Sequence, residues 1–195
     1  MGSKVESRNS VVEITGIDGS GKSSVVAFLA EEFSCTGRKV RPFSERTLKA
    51  EEAIISSFGD DAADSYRGCL LATALLEESA QLGEPAVFDR YVESARMWWT
   101  VKGIHPLPPS ALACLPEPDL VIFLDVPVEV GLERRLGTTE RDEASERAFL
   151  TDCRSYLRNR ATGRSNWRTL PATDPLPQVL EAAARLASAV LRGGV

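Results

Sequence analysis

Short apolar runs alternate along this chain with longer segments in which apolar residues recur every three or four positions. Runs of the first kind are typical of strands and segments of the second kind are typical of helices. The pattern predicts strands at 11–15, 38–43, 86–88, 119–125 and 166–170. It predicts helices at 24–35, at two pieces of 45–81 separated near 58–60, at 92–102, at 128–136, from about 149 onward, and at 179–191. Strands that alternate with helices indicate an α/β fold with a parallel sheet.

The 195 residues fit one domain with a substantial core. Residues 1–9 are polar and aperiodic and predict a flexible tail, so residues 10–195 form the predicted domain. A segment near 137–147 is rich in charged and small polar residues without apolar periodicity. It predicts either a mobile lid or a solvated loop without function.

Composition narrows the class of protein. The hydrophobic share of 43% and the charged share of 26% are those of an ordinary soluble domain. A formal net charge of −5 argues against a nucleic-acid-binding protein with a broad basic surface, although a local basic pocket fits. The four cysteines are far apart and predict neither a zinc site nor disulfides. With no apolar stretch of membrane-spanning length and no signal peptide, we expect a cytoplasmic protein.

One stretch carries explicit chemistry. Residues 16–23 read Gly-Ile-Asp-Gly-Ser-Gly-Lys-Ser and lie between a predicted strand and a predicted helix. In the pattern G-x-x-x-x-G-K-[ST], glycines let consecutive backbone N–H groups point at phosphates, Lys22 reaches the β- and γ-phosphates, and Ser23 supplies a hydroxyl to Mg²⁺. A glycine turn without a ligand is the alternative, and the flanking strand and helix argue against it.

A second candidate follows the predicted strand 86–88. Asp89 and Arg90 come directly after this strand, where a phosphate-loop protein keeps a second Mg²⁺ ligand. A surface ion pair is the alternative for these two residues. His105 is the only histidine and has no evident partner, so we interpret it as a loop residue.

Three segments together resemble the thymidylate kinase family of nucleoside monophosphate kinases. They are the phosphate loop, the triplet Asp89-Arg90-Tyr91 with Ser94 following, and 118–126 leading to 130–134. The resemblance implies a P-loop NTPase fold with a five-stranded parallel sheet and helices on both faces. It also implies ATP and Mg²⁺ as cofactors and a nucleoside monophosphate as the acceptor, and it is compatible with a homodimer.

The resemblance also implies roles for individual residues. Lys22 and the loop amides would hold the donor phosphates, Ser23 and Asp89 would hold Mg²⁺, and Arg90 would clamp phosphate oxygens. Asp18 lies where the family uses a carboxylate near the acceptor's sugar and phosphate. The predicted ATP-binding residues are Gly16, Ile17, Asp18, Gly19, Ser20, Gly21, Lys22, Ser23 and Ser24.

In this family a further catalytic arginine comes from the phosphate loop or from the lid. Gly19 follows Asp18 here, so the loop does not supply it and the lid side must. Arg135 and Arg141 are the first candidates, and Arg134 and Arg147 are the second candidates.

The acceptor pocket departs from the family. Aligned on Leu70-Leu71, Ala72 and Leu76 stand where a thymine-stacking Phe and a thymine-binding Arg are usual. One hypothesis is that Trp98 or Trp99 restores the stacking; the alternative is that both tryptophans pack in the core. The predicted acceptor-binding residues are Asp18, Arg90, Tyr91, Ala72, Leu76 and Trp98.

Three functions therefore stay open. The first is an ATP- and Mg²⁺-dependent kinase of thymidylate or of a related pyrimidine monophosphate. The second is a nucleoside or small-metabolite kinase on the same scaffold. The third is a non-catalytic nucleotide-binding regulator.

Overall fold

A single parallel sheet organises the structure. The computed structural model describes residues 10–41, 44–106, 115, 117–135 and 143–192. Its strands are β1 (Val11–Thr15), β2 (Thr36–Arg38), β3 (Ala86–Asp89), β4 (Leu120–Asp125) and β5 (Trp167–Pro171). They pair in the order β2-β3-β1-β4-β5, and every pair is parallel. The predicted α/β fold with a five-stranded parallel sheet is confirmed.

Seven helices accompany the sheet in the described residues. They are α1 (Lys22–Glu32), α2 (Glu45–Phe58), α3 (Asp60–Ala80), α4 (Val92–Lys102), α5 (Val128–Arg134), α6 (Glu143–Ala161) and α7 (Leu176–Leu191). The predicted break near 58–60 is confirmed at Gly59, whose φ of 84° interrupts the helical backbone. None of the helices described is long and apolar enough to cross a membrane.

Alternating side chains of β1 divide the core between the two faces of the sheet. Val12 and Ile14 belong to the cluster that includes buried residues of α1 and α7. Val11 lies in the other cluster, with Phe88 of β3 and Leu75 of α3. Helices therefore cover both faces, as expected for a parallel sheet.

Two predicted boundaries differ most from the structure. The second strand is Thr36–Arg38 rather than 38–43, because pairing with β3 sets its position: Thr36 lies opposite Ala86 and Arg38 opposite Phe88. A proline at residue 42 also cannot donate to such a ladder. In addition, α6 begins at Glu143, so the last residues of the predicted lid are helical. Residues 137–142 and the predicted tail 1–9 lie outside the described residues.

Candidate active site

The phosphate loop and the Asp89-Arg90 pair meet at one edge of the sheet. Strands β1 and β3 are parallel neighbours with Ile14 opposite Asp89, so the residues that follow each strand emerge side by side. The backbone N–H of Arg90 donates to the Ile14 carbonyl at 3.1 Å. Ligands of open α/β sheets bind beyond the carboxyl ends of the strands, which is where this junction lies.

Close packing against α5 explains why a glycine follows Asp18. Gly19 has a φ of 77°, and a Cβ there would collide with the backbone of Gly131 in α5. A Cβ on Gly131 would in turn come within 2.6 Å of the Asp18 carbonyl oxygen. The two glycines let the loop and α5 touch through their backbones, so position 19 has no room for an arginine side chain.

Lys22 is a buried cation held by its own loop. Its Nζ donates to the Ile17 carbonyl at 2.7 Å and lies 3.5 Å from the Ser20 hydroxyl, with 7% of the residue exposed. Burial, followed by the charge of Arg90, lowers the pKa of Lys22 to about 7, although Asp18 and Asp89 oppose this shift. An anionic phosphate at this point would favour the charged ammonium and raise that pKa.

Ser23 and Asp89, the predicted magnesium ligands, are in contact. The Ser23 hydroxyl donates to Oδ2 of Asp89 at 2.6 Å. Oδ1 of Asp89 is buried and has no hydrogen-bond partner in the described part of the chain. A buried carboxylate oxygen without a donor fits a cation ligand, because the alternative is an uncompensated desolvation cost.

This pair also matches the coordination habit of Mg²⁺. No group of three or more His, Cys, Asp or Glu side chains among the described residues could hold a metal ion. Mg²⁺ is commonly bound through one or two protein oxygens together with substrate phosphates and water. The residues present therefore fit Mg²⁺ that arrives with a nucleotide.

Three cations converge on the carboxylate of Asp18. Arg90 forms a hydrogen-bonded ion pair with Oδ1, Nη1 of Arg135 lies 3.6 Å from Oδ2, and Nζ of Lys22 lies 4.0 Å from Oδ1. Burial opposes ionisation of Asp18, but the charges of Arg90, Lys22 and Arg135 outweigh it and lower the pKa of this carboxyl. The site thus concentrates positive charge around one anion at the mouth of the phosphate loop.

The predicted lid-side arginines fall into separate environments. Arg135 bridges Asp18 and Glu146, a buried residue of the first turn of α6. Nη1 of Arg134 instead donates to the Ala172 carbonyl at 2.9 Å. Arg147 pairs with Glu129 and Glu143 on the surface. Arg141 lies outside the described residues.

The residues predicted to bind the acceptor base differ in exposure. Ala72 is 1% exposed within the apolar cluster between α3 and α4, whereas Leu76 is 43% exposed. Tyr91 is buried: its ring stacks on Phe88, and its hydroxyl shares a 2.6 Å hydrogen bond with Ser79.

The two tryptophans of α4 differ in environment. Trp99 is 3% exposed in the core, and Trp98 packs partly buried against the same cluster. Only Trp98 therefore retains surface that a ligand could reach.

Sequence reasoning missed a cation beside the predicted metal site. Nζ of Lys39 lies 3.9 Å from Oδ2 of Asp89, and its side chain is 56% exposed. Lys39 lines a groove of about 840 Å³ between α1 and β2, together with Ser23, Arg41 and Asp89. Lys39 directly follows the last residue of β2, and this position at the end of a strand was the available signal. The predicted strand 38–43 included Lys39 and therefore hid that signal.

The geometry defines a P-loop phosphotransferase. A phosphate-binding loop, a pair of residues that fits Mg²⁺ and additional cationic side chains meet at the carboxyl ends of the strands. The family model for thymidylate kinase matches residues 14–183. A thymidylate kinase of Alcanivorax borkumensis is 30% identical, over 90% of this chain and 94% of the relative. A probable thymidylate kinase of Natronomonas pharaonis is 29% identical, over 93% of this chain and 98% of the relative.

A solved structure supports the fold. It is a deoxyadenosine kinase from M. mycoides with the products dCMP and dCDP bound, and its TM-score is 0.67. It is 15% identical and the match covers 92% of this chain and 99% of that one, so the likeness concerns the fold alone. On the sequence matches, the chain belongs to the thymidylate kinase family. It is a nucleoside monophosphate kinase that performs phosphoryl transfer of the thymidylate kinase type.

Proposed function

We propose that this protein transfers the γ-phosphoryl group of ATP to the phosphate of thymidylate or of a closely related pyrimidine nucleoside monophosphate. The observation that carries the proposal is the convergence of Lys22, Arg90 and Arg135 on Asp18. Two phosphate-bearing substrates brought into line need more positive charge than a donor alone. An acceptor that offers only a hydroxyl would need less, so the surplus of cations favours a monophosphate.

Donor binding would fall to the loop and its lysine. The backbone N–H groups of residues 16–24 would surround the β-phosphate at the N-terminus of α1, where the helix dipole favours negative charge. The ammonium of Lys22, now 2.7 Å from the Ile17 carbonyl, would exchange that contact for phosphate oxygens. The loop would thereby fix the position of the transferred group.

Ser23 and Asp89 would hold Mg²⁺ between them. When bound there, the ion would neutralise charge on the donor phosphate oxygens. The carboxylate of Asp89 fits this role because its Oδ1 is buried without a partner in the described residues. Lys39 at 3.9 Å adds a second positive charge at the same carboxylate.

Acceptor positioning would fall to Arg90 and Asp18. Arg90 is 32% exposed, so its guanidinium can reach an acceptor phosphate as well as Asp18. Arg135 would stabilise the charge that builds on the transferred group, since its Nη1 already lies 3.6 Å from Asp18. Phosphoryl transfer needs little more than such positioning and charge neutralisation.

Selection of the base would fall to residues of α3 and α4. The relatives named thymidylate kinase support thymidylate as the first acceptor to test. Burial of Ala72 leaves little surface there for a base, while Trp98 is only partly covered. We therefore propose that Trp98 forms the aromatic wall for the acceptor base.

The test is Mg·ATP-dependent ADP release against a panel of acceptors. The panel contains thymidylate, deoxyuridylate, uridylate, cytidylate, 5-substituted uridylates and the parent nucleosides. We expect turnover with thymidylate or another pyrimidine monophosphate and none with nucleosides. Turnover with nucleosides alone would contradict the proposal, and so would silence across the panel from protein that binds ATP.

A further inference from the structure

A buried carboxylate in β1 has no place in the chemistry described so far. Glu13 is 0% exposed, and its carboxylate extends from the central strand to the first turn of α4. Its Oε1 accepts from the backbone N–H of Tyr91 at 3.0 Å, from the N–H of Ser94 at 2.8 Å and from the Ser94 hydroxyl at 2.7 Å. Its Oε2 accepts from the N–H of Glu93 at 2.9 Å.

These four donors belong to the N-cap residue Tyr91 and to the first turn of α4. The N-cap residue of α4 is Tyr91, which gives no side-chain cap. The free N–H groups of a first helical turn need acceptors, normally from the N-cap side chain. Glu13 supplies them from a strand about 80 residues earlier in the chain.

The same contact fixes the residue that precedes the helix. Arg90 has a φ of 68°, a left-handed conformation that non-glycine residues rarely adopt. Its backbone N–H is bonded to Ile14, the residue next to Glu13, and the following residue, Tyr91, is bonded to Glu13 itself. Both anchors lie on β1, which leads into the phosphate loop at Gly16.

A second hydroxyl pair strengthens this junction. The Ser94 hydroxyl and the Thr15 hydroxyl are 2.8 Å apart. Because the hydrogen of Ser94 is donated to Glu13, Thr15 is the donor in this second bond. The last residue of β1 is therefore joined to the first turn of α4 as well.

We propose that Glu13 is a positioning residue for phosphoryl transfer: by capping α4 from β1, it sets the guanidinium of Arg90 at a fixed place relative to the phosphate loop. The expected effect on kcat rests on the proposed function, whereas the capping of α4 by Glu13 does not. Glu13 does not touch a substrate. It links the strand that carries the donor site to the corner that carries the acceptor arginine.

Glu13→Gln tests the proposal because the amide keeps the shape but replaces one acceptor oxygen with a donor. We expect kcat to fall about 10- to 100-fold, since small misplacements of catalytic groups have effects of this size. ATP binding should stay unchanged, because Lys22 and the loop amides are untouched. Val12→Ala is the matched control: Val12 is the neighbouring residue, equally buried, on the opposite face of the sheet.

A double-mutant cycle with Arg90→Ala separates positioning from general destabilisation. If Glu13 acts through Arg90, the double variant should lie within about threefold of Arg90→Ala alone. If the two losses multiply, Glu13 acts independently and the proposal is overturned. Ser94→Ala, which removes one of the four donors, takes the place of Glu13→Gln in the cycle should that variant not fold.

Hydrogen exchange provides a readout that does not need turnover. Glu13→Gln should speed the exchange of the amides of residues 91–94 compared with Val12→Ala. Both variants are measured at the same interval below their own melting temperatures. Equal exchange in the two variants would overturn the proposal. Wild-type protein that lacks activity across the acceptor panel would overturn the proposed function instead, and the exchange result would still decide the role of Glu13.

Discussion

The phosphate side and the acceptor side of this site are built in different ways. On the phosphate side, Lys22, Ser23, Asp89 and Arg90 come from two short segments that follow neighbouring parallel strands. On the acceptor side, Ala72 and Trp98 come from two helices, and their exposure depends on how those helices pack. The first kind of site is set by local motifs and strand order, and the second by side-chain packing between helices.

The difference shows which part of an enzyme can change without loss of its chemistry. This chain carries Ala72 and Leu76 where the family resemblance predicts larger residues, and the contacts of Asp18 with Lys22 and Arg90 are nevertheless present. Replacing Lys22 or Arg90 with a neutral residue would remove a positive charge from the group around Asp18. We therefore expect large kinetic effects on the phosphate side and smaller effects, confined to acceptor affinity, on the acceptor side.

The largest expected effect is at Arg135. Arg135→Ala should lower kcat about 10³-fold or more, because an arginine that stabilises transferring-group charge contributes on that scale. Steady-state kinetics would measure the loss, with Arg185→Ala as control, since Arg185 pairs with Glu181 on the surface of α7. Should Arg135→Ala and Arg141→Ala both keep near-normal turnover, the lid-side assignment is wrong.

The next effect concerns the metal pair. Asp89→Asn should raise the Mg²⁺ concentration needed for half-maximal rate by about 100-fold, because it removes the charge of a buried ligand. ATP affinity measured without Mg²⁺ should change little. An unchanged Mg²⁺ titration would show that Asp89 serves only as the partner of Ser23.

Nucleotide affinity should depend on pH through Lys22. Its pKa is lowered to about 7 in the free protein, and bound phosphates would raise it, so ATP binding takes up a proton above pH 7. At pH 8 we expect uptake of about one proton and a roughly tenfold loss of affinity per further pH unit. Calorimetry in buffers of different ionisation enthalpy measures the uptake, and a value near zero would contradict the assignment.

The smallest expected effect separates the two tryptophans of α4. Trp98→Ala should weaken acceptor binding by about 1 kcal/mol or more, as loss of base stacking does elsewhere. Trp99→Phe should lower stability without changing the KM of the acceptor, because Trp99 is 3% exposed in the core. Equal effects of both variants on KM would remove the aromatic-wall hypothesis.

Much of this fold could be predicted because its signals are local. The β1–loop–α1 unit and the break at Gly59 follow from apolar periodicity and glycine placement within a few residues. The position of β2 could not be predicted in this way. Its three residues are fixed by pairing with β3, whereas local strand propensity favoured the segment that follows.

Long-range contacts limited the prediction of the site. In the sequence Glu13 is one polar residue in a strand, and only the structure shows that the first turn of α4 donates to its carboxylate. The available signal in the sequence was that Glu13 is the one charged residue in the predicted strand 11–15. Similarly, Glu146 in the first turn of α6 pairs with Arg135, a contact that no local periodicity reveals.

In the proposed reaction the γ-phosphoryl group of ATP passes to the phosphate of a pyrimidine nucleotide. The most direct measurement supplies ATP labelled in its γ-phosphate with thymidylate and locates the label in the product. We expect the label in the β-phosphate of thymidine diphosphate and much less of it with Arg90→Ala. Label recovered only as inorganic phosphate, or on a nucleoside hydroxyl when thymidine is the acceptor, would rule out the proposed reaction.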